Sequence, residues 1–139
     1  NLFFMDDIYK EIILEHYQNP NHRGKIEAER NVGNANKRSS NVSLRSKVYV
    51  AGEVNMTCGD SLKIFAKIIN DKIVDAKFEG GGCAISMAAV DMLLDKVIGM
   101  KLSDVKKMSG AEIEKMMGVE LTPSRKKCAY LGLEVLKKL

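Results

Sequence analysis

Apolar and polar positions recur with two different periods along the 139-residue chain, and the change of period marks out its elements. From Asp7 to Gln18, Ile8, Ile12 and Ile13 fall near helical spacing together with Tyr9 and Tyr17, and Asn19-Pro20 stops the run. That pattern predicts an amphipathic N-terminal helix. Residues 24–45 carry Gly, Asn and Ser with Lys37, Arg38 and Arg45, and no acidic residue stands between Arg30 and Glu53, which predicts a basic loop. Val48-Tyr49-Val50 is a candidate strand beyond it. Strict alternation follows: Leu62, Ile64, Ala66 and Ile68 on one side, Lys63, Phe65, Lys67 and Ile69 on the other. Asn70-Asp71 supplies a turn, and Ile73 to Phe78 runs back with Val74, Ala76 and Phe78 expected inward, a β-hairpin. The period then returns to helical. Ala84 to Ile98 is rich in good helix formers and closed by Gly99, Ser103-Asp104 starts a short helix, and Ser109 to Glu112 is a capping box for a helix ending at Gly118. Thr122-Pro123 opens a long C-terminal helix with Cys128, Leu131, Val135 and Leu139 on one face. Strands followed by helices predict an α+β fold: a small antiparallel three-stranded sheet with helices packed on one face.

Composition narrows the setting. The length suits a single domain spanning 1–139. No apolar run reaches the roughly 20 residues a bilayer requires, so no membrane segment is expected. Asp6 and Asp7 stand where a secretory leader would be basic, and residues 1–4, ahead of the candidate initiator Met5, are set aside as an extension. Three cysteines cannot all pair within one chain, and a cytoplasmic, reducing compartment is the expectation. The net charge of +4 suits acidic partner surfaces; without interleaved aromatics or a recognised motif, nucleic acid is not expected as a partner.

The cysteines fall at structurally pointed places. Cys58 lies in Cys58-Gly59-Asp60 just before the hairpin. Cys83 follows Gly80-Gly81-Gly82 and immediately precedes a helix, whose N-terminal dipole favours thiolate. Cys128 sits early in the last helix beside Arg125, Lys126 and Lys127. Gly59, Gly80 and Gly82 give the backbone freedom to bend around a bound ion. Three thiolates and the Asp60 carboxylate would make a four-ligand shell for zinc or an iron–sulfur unit, the oxygen being the more labile corner. The spacings of 25 and 45 residues fit no zinc finger, and a cysteine is also simply a small buried hydrophobe, so this arithmetic leaves both readings open.

Four blocks in order change the balance. Glu15-His16-Tyr17-Gln18-Asn19-Pro20, Asn55-Met56-Thr57-Cys58-Gly59-Asp60, Phe78-Glu79-Gly80-Gly81-Gly82-Cys83-Ala84-Ile85-Ser86-Met87-Ala88 and Arg125-Lys126-Lys127-Cys128-Ala129-Tyr130-Leu131 resemble the conserved segments of the IscU/SufU/NifU-N-terminal family of iron–sulfur cluster assembly proteins. The resemblance spans residues 6–139. It implies a non-enzymatic scaffold that receives sulfur from a cysteine desulfurase, takes up iron, builds a [2Fe–2S] cluster on Cys58, Cys83 and Cys128 with Asp60, and passes the cluster to apo iron–sulfur proteins. The alternative it implies is a SufU-like zinc-dependent sulfurtransferase, with zinc in the same site and Cys58 or Cys128 accepting persulfide sulfur.

This chain departs from the family pattern in ways that bear on that choice. Lys127 stands where IscU carries a histidine, as in SufU, and could stabilise a Cys128 thiolate; the 45-residue spacing leaves no room for the SufU insertion. Met56 replaces a proline. Leu121-Thr122-Pro123-Ser124-Arg125 keeps little of the L-P-P-V-K segment, which makes recognition by a dedicated Hsp70 chaperone doubtful. A monomer and a dimer sharing a cluster are both compatible with the pattern. His16 reads as a packing or capping residue of the first helix, His22 as a solvated loop residue, and the methionines Met87, Met92, Met116 and Met117 as core filler.

Overall fold

The computed structural model describes residues 2–26, 46–55 and 59–139; most of the predicted basic loop lies outside them. Helix α1 (Leu2–Gln18) is followed by strands β1 (Ser46–Asn55), β2 (Asp60–Ile69) and β3 (Lys72–Gly81), then by α2 (Ala84–Val97), α3 (Leu102–Val105), α4 (Gly110–Met117) and α5 (Pro123–Leu136). The strands form one antiparallel sheet in the order β1-β2-β3.

The hairpin turn forms because Asn70 and Asp71 both adopt left-handed backbone, with φ of 50° and 66°, the geometry a two-residue turn between twisted strands demands. On β2, Leu62, Ile64, Ala66 and Ile68 point into the core, as the alternation predicts. On β3 the expectation for Val74 fails: Ile73 is fully buried and Val74 is exposed. The cause is a register shift between Lys67 and Ile68, where Asp75 pairs with Lys67 but Ile73 pairs with Ile68. One extra residue on β3 reverses the phase of everything between the bulge and the turn. Strand β1 is also longer than Val48–Val50, because all ten residues pair with β2.

Helix α2 is the central element. Every residue from Ser86 to Leu94 is buried, so it is covered on all sides rather than along one stripe. It packs on α5, α1, β3 and α4, while α5 also reaches β1 and β2. Gly132 of α5 lets the two central helices approach closely, since a Cβ there would meet Val90 and Leu93 at 3.3 Å. Together the helices cover the inner face of the sheet around Phe78, Ile64, Ile73, Leu93, Leu94, Ile113, Met117 and Leu136.

Residues after α1 do not go straight into a loop. Arg23 forms a parallel bridge with Phe78; the Gly24 N–H donates to the Phe78 carbonyl, and the Phe78 N–H donates to the His22 carbonyl, each at 2.8 Å. The Arg23 guanidinium lies over the Phe78 ring at 5.8 Å and donates to the Gly80 carbonyl at 2.7 Å. The chain leaving α1 is thereby stitched to the outer edge of β3, next to the glycines before Cys83.

Candidate metal centre

Three of the four predicted ligand positions lie on three different elements. Asp60 is the first residue of β2, Cys83 is the N-cap of α2, and Cys128 is in the second turn of α5. One ligating atom from each of Asp60, Cys83 and Cys128 lies within 4.8 Å of the other two. Asp60 and Cys128 are buried, and Cys83 is half-buried. Cys58 lies outside the described residues, two positions before Asp60.

Local sequence explains the convergence. Gly59 takes a left-handed φ of 70°, which turns the chain into β2 and points Asp60 inward. The Asp60 carboxylate accepts the Cys83 backbone N–H at 3.0 Å through Oδ1, and its Oδ2 lies 3.9 Å from Cys83 Sγ. Gly82 makes this approach possible, because a Cβ on it would collide with the Asp60 carboxylate and the Ser86 hydroxyl. Gly80, at φ 152°, is equally constrained: a Cβ there would strike the Ser61 carbonyl across the ladder.

Cys83 acts as the α2 cap with its sulfur. Sγ accepts the Ser86 N–H at 3.4 Å and lies 3.6 Å from the Ser86 hydroxyl, which itself donates to the Cys83 carbonyl at 3.0 Å. Burial pushes the Cys83 thiol pKa upward, as does the Asp60 charge, but the two Ser86 hydrogen bonds and one from Cys128 outweigh them. The net effect is a pKa below the ordinary thiol value. Ser86 was not singled out from the sequence; its place three residues after a helix-capping cysteine is the signal that could have found it.

The donor set fits a tetrahedral thiophilic ion. With zinc–sulfur bonds of about 2.3 Å and zinc–oxygen bonds of about 2.0–2.2 Å, a tetrahedral ion would hold sulfur and oxygen about 3.5–3.7 Å apart, a few tenths of an ångström less than the Cys83–Asp60 separation of 3.9 Å. Lys127 is exposed whereas Cys128 is buried, as adjacent helix positions pointing about 100° apart require. Its neighbour Lys126 instead pairs with Glu114 at 3.0 Å.

His22 is a correction to the sequence reading. It is not a solvated loop residue: its Nε2 lies 2.5 Å from Asp95 Oδ1, and its side chain is only 16% exposed. His16 does serve the packing of α1, with Nδ1 2.6 Å from the buried Asp91 carboxylate.

The sequence matches the NifU-like N-terminal domain family over residues 8–139. The chain belongs to that family. The zinc-dependent sulfurtransferase SufU of Bacillus subtilis is 30% identical over 96% of this NifU-like chain and 90% of its own. The iron–sulfur cluster assembly scaffold protein IscU of Thermotoga maritima is 27% identical over 94% of this chain and 90% of its own. Among solved structures, a protein assigned as an iron–sulfur cluster assembly scaffold of the SUF system in Fervidobacterium islandicum superposes with a TM-score of 0.65 at 26% identity. That superposition covers 92% of this chain and 93% of the other. The α+β architecture is thus the architecture of this family. No helix among the described residues is long and apolar enough to cross a membrane.

Proposed function

We propose that this NifU-like chain is a scaffold on which a [2Fe–2S] cluster is built and from which it is handed to apo iron–sulfur proteins. Iron and sulfide are cargo, held by Cys58, Cys83 and Cys128 with Asp60 as the exchangeable ligand. The observation that carries this reading is the convergence of a buried carboxylate and two thiols, one on a helix N-terminus with a lowered pKa. The thiolate, which a lowered pKa favours, is the form that binds iron or accepts sulfur. A carboxylate in place of a fourth thiolate weakens the hold on a soft cluster, which suits transient storage. A cysteine desulfurase is the partner such a site requires, and a reducing compartment such as the cytoplasm keeps its thiols competent.

The second reading is a zinc-dependent sulfurtransferase that takes persulfide from the desulfurase. The 30% identity to the Bacillus subtilis sulfurtransferase and the lysine before the third cysteine support it. Metal and acid-labile sulfide analysis of protein purified without oxygen separates the two. Equal iron and sulfide with visible absorbance supports the scaffold; one tightly held zinc per chain, no sulfide and no reconstitution supports the sulfurtransferase. For the shared site, Cys83→Ser abolishes cluster reconstitution, and a variant with full cluster absorbance would remove Cys83 from the ligand set.

A further inference from the structure

Asp91 is the one fully buried charged residue among the described residues of α2, eight positions after Cys83 and so roughly 12 Å along the helix axis from it. Its surroundings are specific. Oδ1 accepts the His22 backbone N–H at 2.9 Å, and Oδ2 lies 2.6 Å from His16 Nδ1. One turn further, Asp95 lies on the same face of the helix, with Oδ2 3.9 Å from His16 Nδ1 and Oδ1 2.5 Å from His22 Nε2.

Two carboxylates and two imidazoles therefore meet between α1, the segment stitched to β3 and α2. Among the described residues no lysine or arginine is ion-paired with either carboxylate. A buried carboxylate costs several kcal/mol unless it is paired or coordinates a metal; Asp91 is held here by the His22 N–H and by His16, which balances its charge only when the ring is protonated. One ligating atom from each of His16, Asp91 and Asp95 lies within 4.8 Å of the other two. The Asp95 side chain is 45% exposed and those of the histidines about one-sixth, so solvent reaches the cluster from one side.

We propose that His16, Asp91 and Asp95 form a second metal site, separate from the thiol centre, for a divalent first-row ion such as Fe(II), Mn(II) or Zn(II). Mixed imidazole and carboxylate donors select this class over the softer preference of the cysteines. The ion takes the lone pair of His16 Nδ1. The proton that a neutral ring shares with Asp91 through Nδ1 moves to Nε2 by tautomerisation; a protonated ring releases one proton to solvent. Two carboxylates then balance the two positive charges. His22 holds Asp95 in place through Nε2, as ligating carboxylates are usually held by a further hydrogen bond.

The test silences the thiols with Cys58→Ser, Cys83→Ser and Cys128→Ser together and titrates cobalt(II) by equilibrium dialysis and absorption spectroscopy. One cobalt per chain is expected, with ligand-field bands but without the intense thiolate-to-cobalt band. Adding Asp95→Asn, at an exposed position, or His16→Gln lowers the affinity at least tenfold while circular dichroism stays unchanged. In the chain with native cysteines, two cobalt ions per chain are expected, one with the thiolate band and a second that adds only ligand-field bands and is lost with Asp95→Asn; this readout stands if the triple variant does not fold. No such ion in the native-cysteine chain, or unchanged binding after Asp95→Asn and His16→Gln, overturns the site and leaves the cluster as a hydrogen-bonded latch between helices.

Discussion

Gly82 illustrates how a single absent side chain can define a site. Its Cα faces the Asp60 carboxylate and the Ser86 hydroxyl at a distance no Cβ tolerates, so Gly82→Ala must displace Asp60 from the Cys83 amide. A loss of about 1–3 kcal/mol in thermal or denaturant stability is expected from such overpacking, together with weaker metal binding. Cys83 gives a pH-dependent expectation. Its pKa is lowered in the folded chain, so the apo fold releases this proton before the unfolded chain does. Stability from this group is present above the ordinary thiol pKa and is lost as pH falls through the folded value. Alkylation of Cys83 in apo protein, followed by mass spectrometry, should show a midpoint below the ordinary thiol value, and Ser86→Ala should raise it. At this scale the meeting of Asp60, Cys83 and Cys128, and the glycines that make room for it, were legible because few residues offer a ligating atom or leave space beside one. Ser86 and Asp91 were not: each lies within a helical run whose pattern already looked complete.

Among the elements, α5 shows most directly how local signals set geometry. Thr122 accepts the Arg125 N–H at 3.4 Å, and Pro123 follows in the first turn, so the helix start is fixed and Cys128 falls on its buried face. Thr122→Ala should cost about 1 kcal/mol in denaturant unfolding, the usual loss for an N-cap. The helices were readable because caps and periodicity agree; α4 begins where Ser109 donates its N–H to Glu112 at 3.0 Å, as its capping box predicts. The hairpin was readable except for its phase. Val74 and Ile73 are both β-branched, and nothing in their identities tells which faces inward once a bulge intervenes. The pairing of residues 22–24 with β3 was equally hidden, because a backbone ladder can be made by almost any side chain.

Taken as a whole, the molecule brings Asp60, Cys83 and Cys128 together only when sheet, α2 and α5 are all in place. If Asp60 is the exchangeable ligand, Asp60→Ala should slow transfer of a loaded cluster to apo-ferredoxin by about tenfold, equivalent to about 1.4 kcal/mol. Transfer at the native rate would assign the carboxylate to holding the Cys83 loop alone. The helix-to-helix fit around Gly132 then acquires a meaning beyond packing. Gly132 lies one turn beyond Cys128, and its bare Cα sets how near α5 can come to α2, the helix that Cys83 caps. It acts as the stop of a caliper whose jaws are the two sulfurs. A methyl group added there would press on Val90 and Leu93 without touching a ligand, and whatever part of that pressure moves α5 outward would widen the jaws rather than blunt them.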